Sequence, residues 1–123
     1  MQVTIDRAAY DARQLSLTRE IARAARDALR DTGLAPERLE KAVQNLTFRI
    51  TAILDGSGDL DFEEDVAIPV VMFTNQDDEV TEVVSSGGTS FMHEYAMSVA
   101  SDVLGERSER DRLGDVEPPP NDR

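Results

Sequence analysis

Apolar and polar positions change their spacing along this chain, and the changes mark its elements. Tyr10, Leu17, Ile21, Ala24 and Ala28 recur at helical intervals, so they share one face of a helix. Asp6 is its expected N-cap, its end falls near Asp31, and Gly33 supplies the left-handed stop just beyond. Ser16 and Thr18 mark an expected break or bend. A short second helix is predicted from Pro36, suited to a first-turn position, through Leu39, Ala42 and Val43 to about Gln44.

The spacing then shortens. From Leu46 to Leu54 every even position is apolar, while Thr47, Arg49 and Thr51 lie opposite, which predicts a half-buried strand with Phe48 and Ile50 in the core. Asp55-Gly56-Ser57-Gly58-Asp59 has the chemistry of a turn. Val66 to Phe73 is a continuous, largely β-branched run and predicts a second strand, with an unpaired position, bulge or edge at Pro69. Asn75 to Asp78 is a turn, and Glu79 to Ser85 a third strand. Gly87-Gly88 leads to a final helix capped by Thr89 or Ser90, with Met92, Ala96, Val99 and Val103 on one face and Gly105 at its end.

These elements predict an α+β fold: two N-terminal helices, a three-stranded mostly antiparallel sheet and a C-terminal helix, with the helices packed on one sheet face. Residues 1–105 form the expected single domain. Residues 106–123 have almost no apolar content and include Pro118-Pro119-Pro120, so they read as a disordered acidic tail. An edge beside Val66 to Phe73 would invite pairing with another chain, which makes a homodimer an expectation.

Charge adds a direction to this picture. The net charge is -12, and it is unevenly placed. Residues 1–45 carry a net +1, residues 46–105 a net -11 and residues 106–123 a net -2. Such a chain repels phosphate backbones and anionic lipid, so neither nucleic acid nor membrane is an expected partner, and a basic protein is. The acids expected to face that partner are Asp61, Glu63, Glu64, Asp65, Glu79 and Glu82. No cysteine is present, which removes disulfides, thiolate metal sites and a cysteine nucleophile. No signal-like run opens the sequence and no segment has the length of a membrane span, so the expected location is cytoplasmic.

Chemistry concentrates in one stretch, Ile53 to Glu64. It resembles the twelve-residue calcium loop of EF-hand proteins, with Asp55 and Ser57 at the third and fifth positions, Gly58 at the turn, Asp59 at the carbonyl position, Asp61 ninth and Glu64 closing; Ile53 stands first. The resemblance implies calcium bound by Asp55, Ser57, Asp59, Asp61 and Glu64. A solvated acidic hairpin would have the same composition, and otherwise no cofactor is expected.

Three further features each have two uses. Arg19, Arg23, Arg26 and Arg30 form a helical stripe that either grips an acidic surface or, interleaved with Glu20, Asp27 and Asp31, makes a salt-bridged solvent face. Gly87-Gly88-Thr89-Ser90 either cradles an anion at a helix start or simply connects two elements. His93, the only histidine, is either a general base beside Glu94 or a residue of the helix start. The functional expectation is a non-catalytic acidic binding module, such as a small inhibitor, an immunity-type protein or a dedicated chaperone. A calcium-binding protein and a small enzyme are the alternatives.

Overall fold

The computed structural model describes residues 1–57 and 67–106. Its elements are β1 (Gln2–Ile5), α1 (Arg7–Arg30), α2 (Pro36–Leu54), β2 (Glu82–Ser85) and α3 (Met92–Leu104). The three-stranded antiparallel sheet expected from the sequence is not what forms. Among the described residues the sheet has two strands, β1 and β2, and they run parallel. The helices pack chiefly on one another, each touching both others, and not as a layer on one sheet face.

The largest departure is at α2. Leu46 to Leu54, expected as a strand, is the second half of a helix, and its faces are reversed: Thr47 is 0% exposed and Phe48 41%. The physical reason lies in threonine. Val43, Thr47, Thr51 and Asp55 stand four residues apart, one helical stripe, and that stripe is the buried one. A helical threonine returns its hydroxyl to the carbonyl one turn earlier, so its methyl packs inward with no unsatisfied donor. Thr47 bonds Val43 O at 2.7 Å, Thr51 bonds Thr47 O at 2.8 Å, and in α1 Thr18 bonds Gln14 O at 2.7 Å. Counted as polar in a linear pattern, these residues simulate alternation.

α1 begins where the sequence places it, with Asp6 Oδ1 accepting the Ala9 amide at 3.1 Å, and runs without a break past Ser16 and Thr18. Gly33 has φ 78°, the left-handed geometry that turns the chain toward α2. Ala22, Ala25, Val43, Val99, Ala100 and Val103 form the apolar centre among the three helices, with Leu15, Leu29, Leu39, Tyr95 and Leu104 around it. Small residues dominate this centre, which brings the helices close.

Of the run predicted as a second strand, Val66 lies outside the described residues, and 67–72 has no ladder. Only Phe73 pairs, through an isolated antiparallel bridge to Val84. β2 is the surviving part of the predicted third strand. Its parallel neighbour β1 carries no signal beyond four residues of alternation. Glu106, the first residue of the expected tail, is tied to α1 by a fork from Arg23 at 3.0 and 3.1 Å, and 107–123 lie outside the described residues.

Candidate functional site

The chemistry of the described residues gathers where α3 begins. A helix start leaves backbone amides without partners, and neither Thr89, Ser90 nor the N-cap residue Phe91 supplies its own side-chain cap. The caps come from other helices. At the end of α2, Asp55 is 2% exposed; its Oδ2 accepts the His93 amide at 2.7 Å, and its Oδ1 accepts the Ser90 hydroxyl. From α1, Gln14 Oε1 accepts the Phe91 amide at 2.9 Å while its Nε2 donates to Asp11 at 2.9 Å. A carboxylate at a helix N-terminus also meets the positive end of the helix dipole.

His93 completes the group. Its Nδ1 lies 2.5 Å from Asp55 Oδ2, and the Phe48 ring meets its ring edge-on at 6.2 Å. Asp55 thus orients the imidazole and leaves Nε2 as the outer nitrogen. The order of a catalytic triad is missing: the Ser90 hydroxyl faces Asp55, where a nucleophile would have to face Nε2. The arrangement locks helices together, and His93 is a helix-start residue with a buried partner that its neighbours in sequence do not reveal.

Tyr10 adjoins the cluster. Its hydroxyl donates to Val71 O at 2.6 Å and its ring stands edge-on to Phe73 at 5.2 Å, fastening the 67–73 segment to α1. Burial pushes the Tyr10 hydroxyl above its ordinary pKa, partly offset by hydrogen bonding with Ser90 and Ser86.

Of the expected calcium ligands, two fall among the described residues. Asp55 faces inward to α3, Ser57 is exposed, and Asp59, Asp61 and Glu64 lie outside the described residues, as do Glu63 and Asp65. Among the described residues no three acidic, histidine or cysteine side chains converge on a metal position.

Glu79 and Glu82 are both exposed; Asp77, Asp78 and Glu79 lie in the loop that leads into β2, and Glu82 opens that strand. Gln76 Oε1 accepts the amides of Thr81 at 2.7 Å and Glu82 at 3.2 Å, and its Nε2 donates to Thr81 Oγ1 at 3.0 Å. One side chain thereby closes the loop across five to six residues and holds its acids outward. None of those four acids forms an ion pair among the described residues. No signal short of the three-dimensional loop would have identified Gln76.

Beyond the carboxyl ends of β1 and β2 lies a cleft of about 270 Å³, between Arg7 and Asp11 of α1 and the Gly87-Gly88 connection, with Phe91 and Tyr95 as walls. The Gly87 amide donates to Ser85 Oγ at 3.0 Å and the Gly88 amide to Ser86 Oγ at 3.2 Å, so this loop satisfies its own donors. That is the behaviour of a connection more than of an anion cradle.

The arginine stripe divides. Arg23 reaches Glu20 and Glu106, but Arg26 leaves the solvent face: it is 1% exposed and donates to Val103 O at 3.0 Å and to Asp27 at 2.9 Å. Met92 is core, whereas Met97 and Phe91 are exposed. No helix among the described residues is long and apolar enough to cross a membrane. Compared with protein-family models, curated proteins and solved structures, the chain matches none.

Proposed function

We propose that this chain is a non-catalytic protein-interaction module that works in the cytoplasm and presents an acidic surface to a basic protein. The observation that carries this reading is the Gln76-clamped loop, which holds Asp77, Asp78, Glu79 and Glu82 exposed and without ion pairs among the described residues. A pre-ordered loop loses less entropy on binding than a mobile one, and unpaired charge of one sign both steers encounter and rejects partners of like sign. Apolar contact area stands beside it: Val80 lies in the same loop, and Ile68, Val70 and Met72 are exposed along the neighbouring segment. Charge for approach and apolar surface for adhesion together fit a protein partner.

The test is a comparative capture from the native lysate, quantified for the wild-type chain and two variants. One replaces Asp77, Asp78, Glu79 and Glu82 by their amides. The other replaces Arg38 and Lys41, exposed on α2, by glutamine. Basic proteins are expected to be lost from the first capture and kept in the second. An unchanged set of captured proteins in the first variant contradicts the proposal.

A further inference from the structure

Among the described residues, sheet hydrogen bonding leaves one edge open. The amides of Gln2 and Asp6 donate toward β2, to Thr81 O at 2.7 Å and Ser85 O at 3.2 Å. Because backbone groups alternate in direction along a strand, those of Val3 and Ile5 point the other way, to the outer edge of β1. The far edge of β2 is already occupied, since Val84 and Phe73 exchange both bonds at 2.7 and 3.0 Å.

β1 is exposed along its whole length, Val3 to 49% and Ile5 to 65%. A parallel ribbon of two strands with one strand bare is an incomplete sheet, because parallel strands are ordinarily covered and about three or more strands are needed for independent stability. Exposed edges are usually blunted by charge, proline or a bulge. Gln2-Val3-Thr4-Ile5 has neither a charged residue nor a proline.

We propose that β1 pairs with β1 of a second copy, antiparallel, about a two-fold axis passing midway between the two Thr4 residues. In this register Val3 of each copy faces Ile5 of the other, so both outward residues of the strand exchange amide and carbonyl bonds. Their side chains meet on one face as apolar cross-strand pairs, and Thr4 meets Thr4 on the other, a favoured pairing. The two ribbons become one continuous sheet. Charge also selects this edge for a self-contact. Copies of a chain with net charge -12 repel overall, but β1 is neutral and belongs to the segment 1–45, which carries a net +1. In the paired register Asp6 stands opposite Gln2 and Arg7 opposite Met1, so no like-charged side chains are directly opposed. So short a pairing buries less than the ~1,200 Å² of a standard interface, and the dimer is accordingly weak and concentration-dependent.

Weak pairing is read by disulfide trapping, for which a chain without cysteine is suited. Thr4→Cys places two thiols at a non-hydrogen-bonded antiparallel pair, where Cα atoms stand about 4.5 Å apart, inside the range a disulfide spans. Gln2→Cys places them roughly four residues, or about 13 Å, apart and out of reach. Lys41→Cys, exposed on α2, which makes no contact with β1, measures random collision. Under mild oxidation Thr4→Cys is expected to form covalent dimer about tenfold faster than either control, through the raised local thiol concentration. Adding Val3→Pro, which removes an outward amide and leaves the inward ladder intact, is expected to abolish that advantage while the circular-dichroism spectrum is unchanged. Equal rates at the three cysteine positions, or an advantage that survives Val3→Pro in a folded protein, overturn the proposal.

Discussion

Asp55 serves three donors with two oxygens and has almost no contact with water. A buried acceptor so placed matters mainly through what its loss exposes: Ser90, the His93 amide and the His93 ring would each be left without a partner. Asp55→Ala is therefore expected to lower stability by about 2 to 4 kcal/mol in urea unfolding, with or without calcium. Near-neutral behaviour in calcium-free buffer would return Asp55 to a surface role. Thr47 and Phe48 give a sharper contrast because the structure inverts their expected places. Thr47→Lys drives a charge into the helical interior and is expected to unfold the protein or nearly so, whereas Phe48→Lys at a half-exposed position is expected to change stability by about 1 kcal/mol or less. The reverse order would restore the strand.

At the scale of elements, α3 was legible because its apolar residues repeat at helical intervals and are the ones buried; α1 was legible as a helix but not in its face, since Gln14, Thr18, Ala22, Ala25 and Arg26 join Tyr10 inside while Ala24 and Ala28 of the expected stripe are exposed. α2 was half legible. Its first half shows Leu39, Ala42 and Val43, but beyond Gln44 the buried stripe consists of threonines and one aspartate, and a count of apolar letters cannot see a self-satisfied hydroxyl. β1 was missed because a four-residue strand acquires its identity from Glu82 to Ser85, some eighty residues away. The candidate site was the least legible part. Asp55, Ser90 and His93 are separated by 35 and 38 residues, and only the packing of α2 against α3 joins them. Exposure of Glu79 and Glu82, by contrast, followed from charge alone.

The junction of α1 with the end of α3 carries a pH signature. The Arg23 fork holds the Glu106 carboxyl below its ordinary 4.5, with Arg26 adding to the attraction. A depressed folded pKa means that the contact stabilises the fold above pH 4.5, and that this contribution disappears as pH falls through the lowered value. The difference in urea midpoint between the native chain and Glu106→Gln is expected to be largest near neutrality and to close below pH 4.5. A difference independent of pH would mean that the Arg23 pair contributes nothing through charge. Truncation after Gly105 is likewise expected to cost more than truncation after Glu106, since only the first removes the Glu106 carboxylate from Arg23 and Arg26.

The whole molecule joins a helical core, locked by buried polar caps, to a thin sheet that displays acidic and apolar surface. Its charge of -12 is unevenly distributed, and Gln76 closes the segment that carries the exposed acids Asp77, Asp78, Glu79 and Glu82. If that loop steers a basic partner, attraction acts over roughly a Debye length, about 8 Å at physiological salt and about 30 Å at 0.01 M. The direct measurement is the association rate with the captured partner, followed by stopped flow as salt rises between those conditions. The on-rate is expected to fall steeply for the native chain and shallowly for the variant with Asp77, Asp78, Glu79 and Glu82 neutralised, with little change in the off-rate between them. An on-rate indifferent to salt, or equally sensitive in both proteins, would contradict the steering of a basic partner by these acids.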